Sequence, residues 1–190
     1  PVKPYADLPD KAARILYGRL TTLVPGTPAL FPAFLGLASQ LNETAGLRSF
    51  AREGMCLHEL REHKDALAAY AMRLLGDGPL SQRGGANLAL DLERAGIPLW
   101  DGGALSARYD CVSDAWARAT LLELRGERAI KDTNSIPEVI ATCKNLVSVQ
   151  HDPPVLQEGR HPAPAVVMEA ARTAFLRLLA ATTVDPDDAS

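Results

Sequence analysis

The stretch Asp10-Lys11-Ala12-Ala13-Arg14-Ile15-Leu16-Tyr17-Gly18-Arg19-Leu20-Thr21-Thr22-Leu23-Val24, closed by Pro25-Gly26, sets the fold class. Ala12, Ile15, Leu16, Leu20 and Leu23 recur at helical steps and fall on one face, whereas no alternation of period two is present. Asp10 stands where a helix cap is expected, and Pro25-Gly26 stops the helix. The following residues start a second helix with Thr27 as cap and Pro28 at the first helical position. Its apolar face is Leu30, Phe34, Leu37 and Leu41, with Pro32 early enough for its missing N–H to be tolerated.

Outward from this pair the same grammar continues. Helices are predicted over 45–61, 63–75, 85–95, 104–125 and 135–149. Leu67, Tyr70, Leu74 and Leu75 form the stripe of the helix over 63–75, and Gly76 and Gly96 are placed as C-terminal caps. Pro98 and Gly102-Gly103 make 97–103 a loop. The prolines Pro153, Pro154, Pro162 and Pro164 mark 151–164 as a Pro-rich linker. Val166, Val167, Ala170, Ala171, Ala174, Phe175, Leu178 and Leu179 give 165–182 an amphipathic C-terminal helix that packs on the same domain. An acidic tail, 183–190, follows. The expected fold is all-α: seven to eight antiparallel helices in a domain over 1–150, with helical-hairpin units stacked over 49–126.

Composition narrows the function classes. The chain has 190 residues, 47% of them hydrophobic, which is enough to build a core without a metal or disulfide. Its 23 acids and 20 bases leave a net charge of −3, so the basic excess of a generic nucleic-acid grip is missing. Around Arg48, Arg52, Arg61 and Lys64 the acids Glu53, Glu59, Glu62 and Asp65 are interleaved, as on a salt-bridged surface rather than a phosphate track. Cys56, Cys111 and Cys143 are odd in number and far apart, which predicts small buried thiols in a reducing, intracellular and cytoplasmic setting. No apolar run is long enough to span a membrane, and Pro1-Val2-Lys3-Pro4 does not begin a signal peptide.

One periodicity stands out. The tetrads Glu59-Leu60-Arg61-Glu62, Asp91-Leu92-Glu93-Arg94 and Glu123-Leu124-Arg125-Gly126 start 32 residues apart, each ten residues after a serine, Ser49, Ser81 or Ser113. A fixed period of this size is the mark of stacked supersecondary units. The first unit, 49–79, carries Phe50, then Gly54 four later, Leu57, Ala66, Tyr70 and Pro79. On those residues it resembles a single tetratricopeptide repeat, with mismatches at Arg61 and Arg73. The resemblance implies a helical hairpin and a protein-interaction role, with the inner face of the first helix, Arg48, Ala51, Met55, His58 and Glu59, turned to a partner. Arg48, Met55, His58 and Glu59 are the candidate partner-binding residues.

Catalytic and metal constellations are weak. In His58-Glu59-Leu60-Arg61-Glu62-His63 the histidines are five apart, where a zinc-binding helix needs four, so on a continuous helix they diverge by about 140°. His151 and His161 flank the predicted linker as ordinary titratable groups. Gly84-Gly85 and Gly102-Gly103 lack the lysine and preceding strand of a phosphate loop. Asp110 and Asp114, four apart on the helix over 104–125, could share a face, and Trp100 and Trp116 are expected as core anchors. No metal, cofactor or catalytic residue is assigned. The sequence favours a non-enzymatic scaffold or adaptor module, binding a protein partner or a second copy. A helical nucleoprotein, matrix or coat component with a local basic face ranks second. An enzyme with a site assembled from distant residues ranks third.

Overall fold

A computed structural model describes residues 9–131 and 136–151, together with 169, 171–173, 175, 176 and 180. Among them the chain is all-α, without a strand. Nine helices are resolved: α1 (Asp10–Leu23), α2 (Phe31–Leu41), α3 (Ala45–Glu53), α4 (Leu57–Glu62), α5 (Lys64–Leu75), α6 (Pro79–Arg94), α7 (Gly102–Cys111), α8 (Ala115–Lys131) and α9 (Ile136–His151). None of the described helices is long and apolar enough to cross a membrane. The predicted linker 151–164 beyond His151, the tail 183–190 and most of the helix over 165–182 lie outside the described residues.

Two of the predicted helices are each broken in two. The helix expected over 45–61 ends at Glu53. Gly54 (φ 69°) and Cys56 (φ 51°) take left-handed backbone, and a separate short helix, α4, restarts at Leu57. Gly54 adopts that conformation at no steric cost, so it acts as a helix stop. The helix expected over 104–125 ends at Cys111. Val112 is extended, and α8 restarts after Asp114, whose Oδ1 accepts the Ala117 N–H at 2.9 Å. An aspartate that caps a helix competes with continuing one, and here the cap prevails.

Smaller differences have similar causes. Asp10 is the first residue of α1 and makes no capping bond, since Pro9 precedes it. Thr27 does not cap either: Pro28–Leu30 form a 3-10 turn and α2 begins at Phe31. The helix expected from residue 85 starts six residues earlier, with Pro79 at its first position. Gly96 closes it in left-handed backbone (φ 73°), whereas Gly76 ends α5 without a left-handed turn.

The core begins with an aromatic cluster. Tyr17 stacks on Phe34 (5.2 Å between centroids), and Phe34 also meets Phe31 and Phe50. The Tyr17 hydroxyl accepts the Gly46 N–H at 3.0 Å, and a β-carbon at Gly46 would lie 2.8 Å from the Phe34 ring. Glycine there lets the start of α3 touch α1 and α2 together. Toward the C-terminal end of α2, the buried Tyr70 hydroxyl of α5 donates to the Ala38 carbonyl at 2.9 Å.

From there the helices pack in sequence. α5 lies along α6, α6 lies between α3 and α8, α7 leans on α8, and α8 runs along α9. The predicted stripe Leu67, Tyr70, Leu74 and Leu75 is buried, as are Leu88 and Leu92 of α6 and Leu121 and Leu124 of α8. A second, smaller cluster joins Ala115, Ala119 and Leu122 of α8 to Leu146 of α9 and to Ala171. Ala171 therefore rests against α8 and α9, with Phe175 packed beside the same cluster.

Candidate functional site

Glu59 and Glu62 of the first 32-residue tetrad are not buried, but the acids of the second and third tetrads are not a solvated edge. Asp91, Glu93 and Glu123 are buried, and each faces arginine from another helix. Asp91 of α6 accepts Arg48 Nε at 2.7 Å and Arg52 Nε at 2.9 Å, both from α3. Arg94 of α6 reaches Glu123 of α8 at 2.6 Å and also pairs with Glu127. Arg128 of α8 returns the exchange to Glu93 of α6 at 2.5 Å. Arg83 of α6 holds Asp114, at the start of α8, by two bonds of 3.0 Å. Buried ion pairs add little net stability over an apolar contact, but breaking one strands a charge, so they fix which turn faces which.

The pairs of Asp91 and of Arg94 line a cleft of about 720 Å³ between α3, α6 and α8. Ala51 and Arg52 line it from α3, and Asn87, Leu90, Asp91 and Arg94 from α6. Trp116, Ala119, Thr120 and Glu123 line it from α8, and Glu169 and Thr173 wall its remaining side. Its size is that of a small binding cleft, and its lining mixes the apolar Leu90, Trp116 and three alanines with a larger number of polar and charged side chains. Arg52 is 56% exposed here although its Nε is held by Asp91. Trp116 is half-buried, with Arg83 over its ring at 5.8 Å, so it is a wall of the cleft and not the core anchor expected. Trp100 does enter the core.

The four predicted partner-binding residues do not share one continuous helix face. Arg48 turns inward to Asp91. Met55 sits in the break between α3 and α4 and packs against the core. His58 and Glu59 are on α4, where His58 is exposed and 3.9 Å from Glu62. Ala51, on the same predicted face, lines the cleft. Arg52, Asn87 and Trp116 were not singled out as binding residues, because their convergence depends on contacts across about 64 positions of sequence. Arg48 and Arg52, one turn apart on α3, were the available signal.

The other candidates resolve as follows. His63 is half-buried, tilted on Phe31 at 5.3 Å, with Nδ1 3.0 Å from the Glu59 carbonyl. The described residues hold no group of His, Cys, Asp and Glu that could bind a metal. Asp110 is exposed at the end of α7 and Asp114 is buried against Arg83, so the two do not form an acidic pair. Cys56 is half-buried and Cys111 exposed, against the expectation of buried thiols. Burial, with Glu59 nearby, pushes the Cys56 thiol above its ordinary value. No protein-family model, no curated protein and no solved structure matches this chain.

Proposed function

We propose that this chain is a non-enzymatic helical interaction module, of scaffold or adaptor type, whose binding face is the cleft between α3, α6 and α8. The observation that carries the proposal is the cleft itself: one tryptophan and a leucine beside arginines already held in place by buried carboxylates. Tryptophan and arginine are the residues that most often dominate protein interfaces, and pre-positioned side chains lose less entropy on binding. A helix or an extended segment laid across three neighbouring helices is a familiar mode of recognition. Of the candidate partner-binding residues, Arg48 contributes from behind by orienting Asp91, whereas Met55, His58 and Glu59 do not line the cleft. An intracellular setting, in which Cys56 and Cys111 stay reduced, agrees with this role.

The test fills the cleft. Asn87→Trp places a large ring into its α6 wall, where the native side chain is only half-buried. Polypeptides cross-linked to the wild-type chain are expected to be lost with the variant, at unchanged helicity by circular dichroism. Equal cross-linking by both proteins would overturn the proposal. Light scattering coupled to size exclusion at two salt concentrations, with absorbance at 260 and 280 nm, separates the competing role. A salt-sensitive oligomer carrying nucleic acid would move the chain to the class of assembly components.

A further inference from the structure

The helical hairpins of this chain repeat one another in placement. Their first helices, α1, α3, α6 and α8, start at Asp10, Ala45, Pro79 and Ala115, at steps of 35, 34 and 36 residues. Each later one lies on the pair before it. α3 touches α1 and α2 at Gly46, α6 packs on α3 and α5, and α8 packs on α6 and α7. Ala171 of the C-terminal helix likewise meets both α8 and α9. Bonds between hairpins span a near-constant distance in sequence: 29 residues from Tyr17 to Gly46, 32 from Ala38 to Tyr70 and 33 from Arg94 to Glu127. The sixth residue of α3 and of α6 faces the hairpin before. Phe50 meets Phe34 at 5.3 Å, and Gly84 lies against Thr44. In α1 the sixth residue is Ile15, and it is 54% exposed. Among the described residues seven large hydrophobic side chains are exposed, and five of them stand on the outermost helices. These are Ile15 and Leu23 on α1, Ile140 and Val147 on α9, and Leu176 on the C-terminal helix. Stacked helical units that stay single carry polar outer faces at their ends.

We infer that the hairpins form one linear array whose two ends bind each other between copies of this chain, head to tail. The head, α1 of one copy, lies on the tail of the next, its α9 and C-terminal helix. Each inner first helix lies on a pair of helices in the same way. The occupant follows from continuity with the packing inside the chain. Among the described residues the end faces carry no further hairpin, and a second copy supplies one of the same build. The two ends are unlike, so the contact is heterologous and runs on from copy to copy unless a ring closes. With two or three large apolar side chains on each end, the contact is a weak one that concentration drives. The side chains that carry it are apolar, so added salt does not loosen it. The inference does not rest on the cleft being a binding face.

Sedimentation velocity of the full chain, from about 1 μM to about 1 mM, reads the association. The wild-type mass is expected to rise past that of a dimer with concentration, and to do so equally at low and high salt. Ile15→Glu spoils the head and Ile140→Glu the tail. Each alone is expected to weaken association about tenfold or more, because a charge then faces an apolar contact. Their equimolar mixture is the critical sample. One variant keeps an intact tail and the other an intact head, so the mixture is expected to form a dimer and stop there. A wild-type chain that stays monomeric throughout would overturn the inference, as would a mixture that associates no better than its parts. So would Ile140→Glu forming a dimer by itself, which marks a symmetric contact through α1. Both positions are more than half exposed, so both variants are expected to fold, as circular dichroism will show. Leu23→Gln and Val147→Gln serve as a second pair if either glutamate variant unfolds. Asn87→Trp is expected to associate like wild type, so loss of the cleft reading and loss of this one are told apart.

Discussion

Arg83 and Asp114 meet edge to edge: Nε lies 3.0 Å from Oδ1 and Nη2 3.0 Å from Oδ2, and the aspartate is fully buried. Oδ1 also accepts the Ala117 N–H at 2.9 Å, so one carboxylate both starts α8 and ties it to α6. Asp114→Ala removes the cap and strands the guanidinium, and is expected to cost about 3–5 kcal/mol. A double-mutant cycle with Arg83→Met should give a coupling of about 2 kcal/mol in urea unfolding. A coupling near zero would show that the two side chains act independently.

The break at Gly54 makes a sign prediction. In a continuous helix over 45–61, Gly54→Ala would stabilise by about 1 kcal/mol, the difference in helix propensity. With φ at 69°, alanine instead carries the left-handed penalty, and Gly54→Ala is expected to destabilise by about 1 kcal/mol although its β-carbon meets open space. Thermal unfolding of the variant decides between the two, and a raised Tm would argue for the unbroken helix.

Neighbouring glycines in α6 should respond in opposite directions. A β-carbon at Gly85 would lie 2.9 Å from the Ala71 carbonyl and 3.0 Å from Leu74 Cβ, so α5 and α6 would have to separate. Overpacking of this kind costs about 1–3 kcal/mol, more than propensity returns. At Gly84 the nearest atoms are the Thr44 side chain at 3.5 and 3.6 Å, an ordinary contact, and Gly84→Ala is expected to stabilise by about 0.5–1 kcal/mol. Chemical denaturation of both variants at one pH checks the pair.

Tyr70 predicts the alkaline limb of stability. Burial holds its hydroxyl well above the ordinary tyrosine value of 10.0, and burial raises Tyr17 as well. Above pH 10 the unfolded chain releases these protons before the folded one does, so the unfolded state binds fewer protons and stability falls as pH rises. Their contribution is complete below pH 10 and declines above it. Tyr70→Phe removes one of these titrations and is expected to be less stable at pH 8 yet to show a shallower decline above pH 10. Urea midpoints measured across that range test the slope, and parallel curves would mean that Tyr70 titrates as in the unfolded chain.

Local residues made much of the fold legible. The stripe Leu67, Tyr70, Leu74 and Leu75, the stop at Pro25-Gly26 and the closure by Gly96 act within a turn or two of helix, and periodicity and backbone preference report them. The breaks were harder. Gly54 is tolerated inside a helix or ends one, and nothing local chooses between these. Asp114 caps α8 while holding Arg83, 31 positions away. The candidate site was the least legible. The 32-residue period marked Asp91, Glu93 and Glu123 but not their burial, because the arginines that pair with them belong to other helices. The cleft forms only where α3, α6 and α8 lie side by side.

By itself the sequence determined that this chain is all-α, where most of its helices run and which of their faces are apolar. These are properties of spacing and backbone preference that hold before any two helices touch. Only the tertiary structure decided where two long helices break, which carboxylates are buried and how Arg52, Asn87 and Trp116 come to share one cleft. An apolar stripe favours burial without selecting a partner or a register, whereas a buried charge is tolerated only opposite its counter-charge. That requirement is met between helices, not within them.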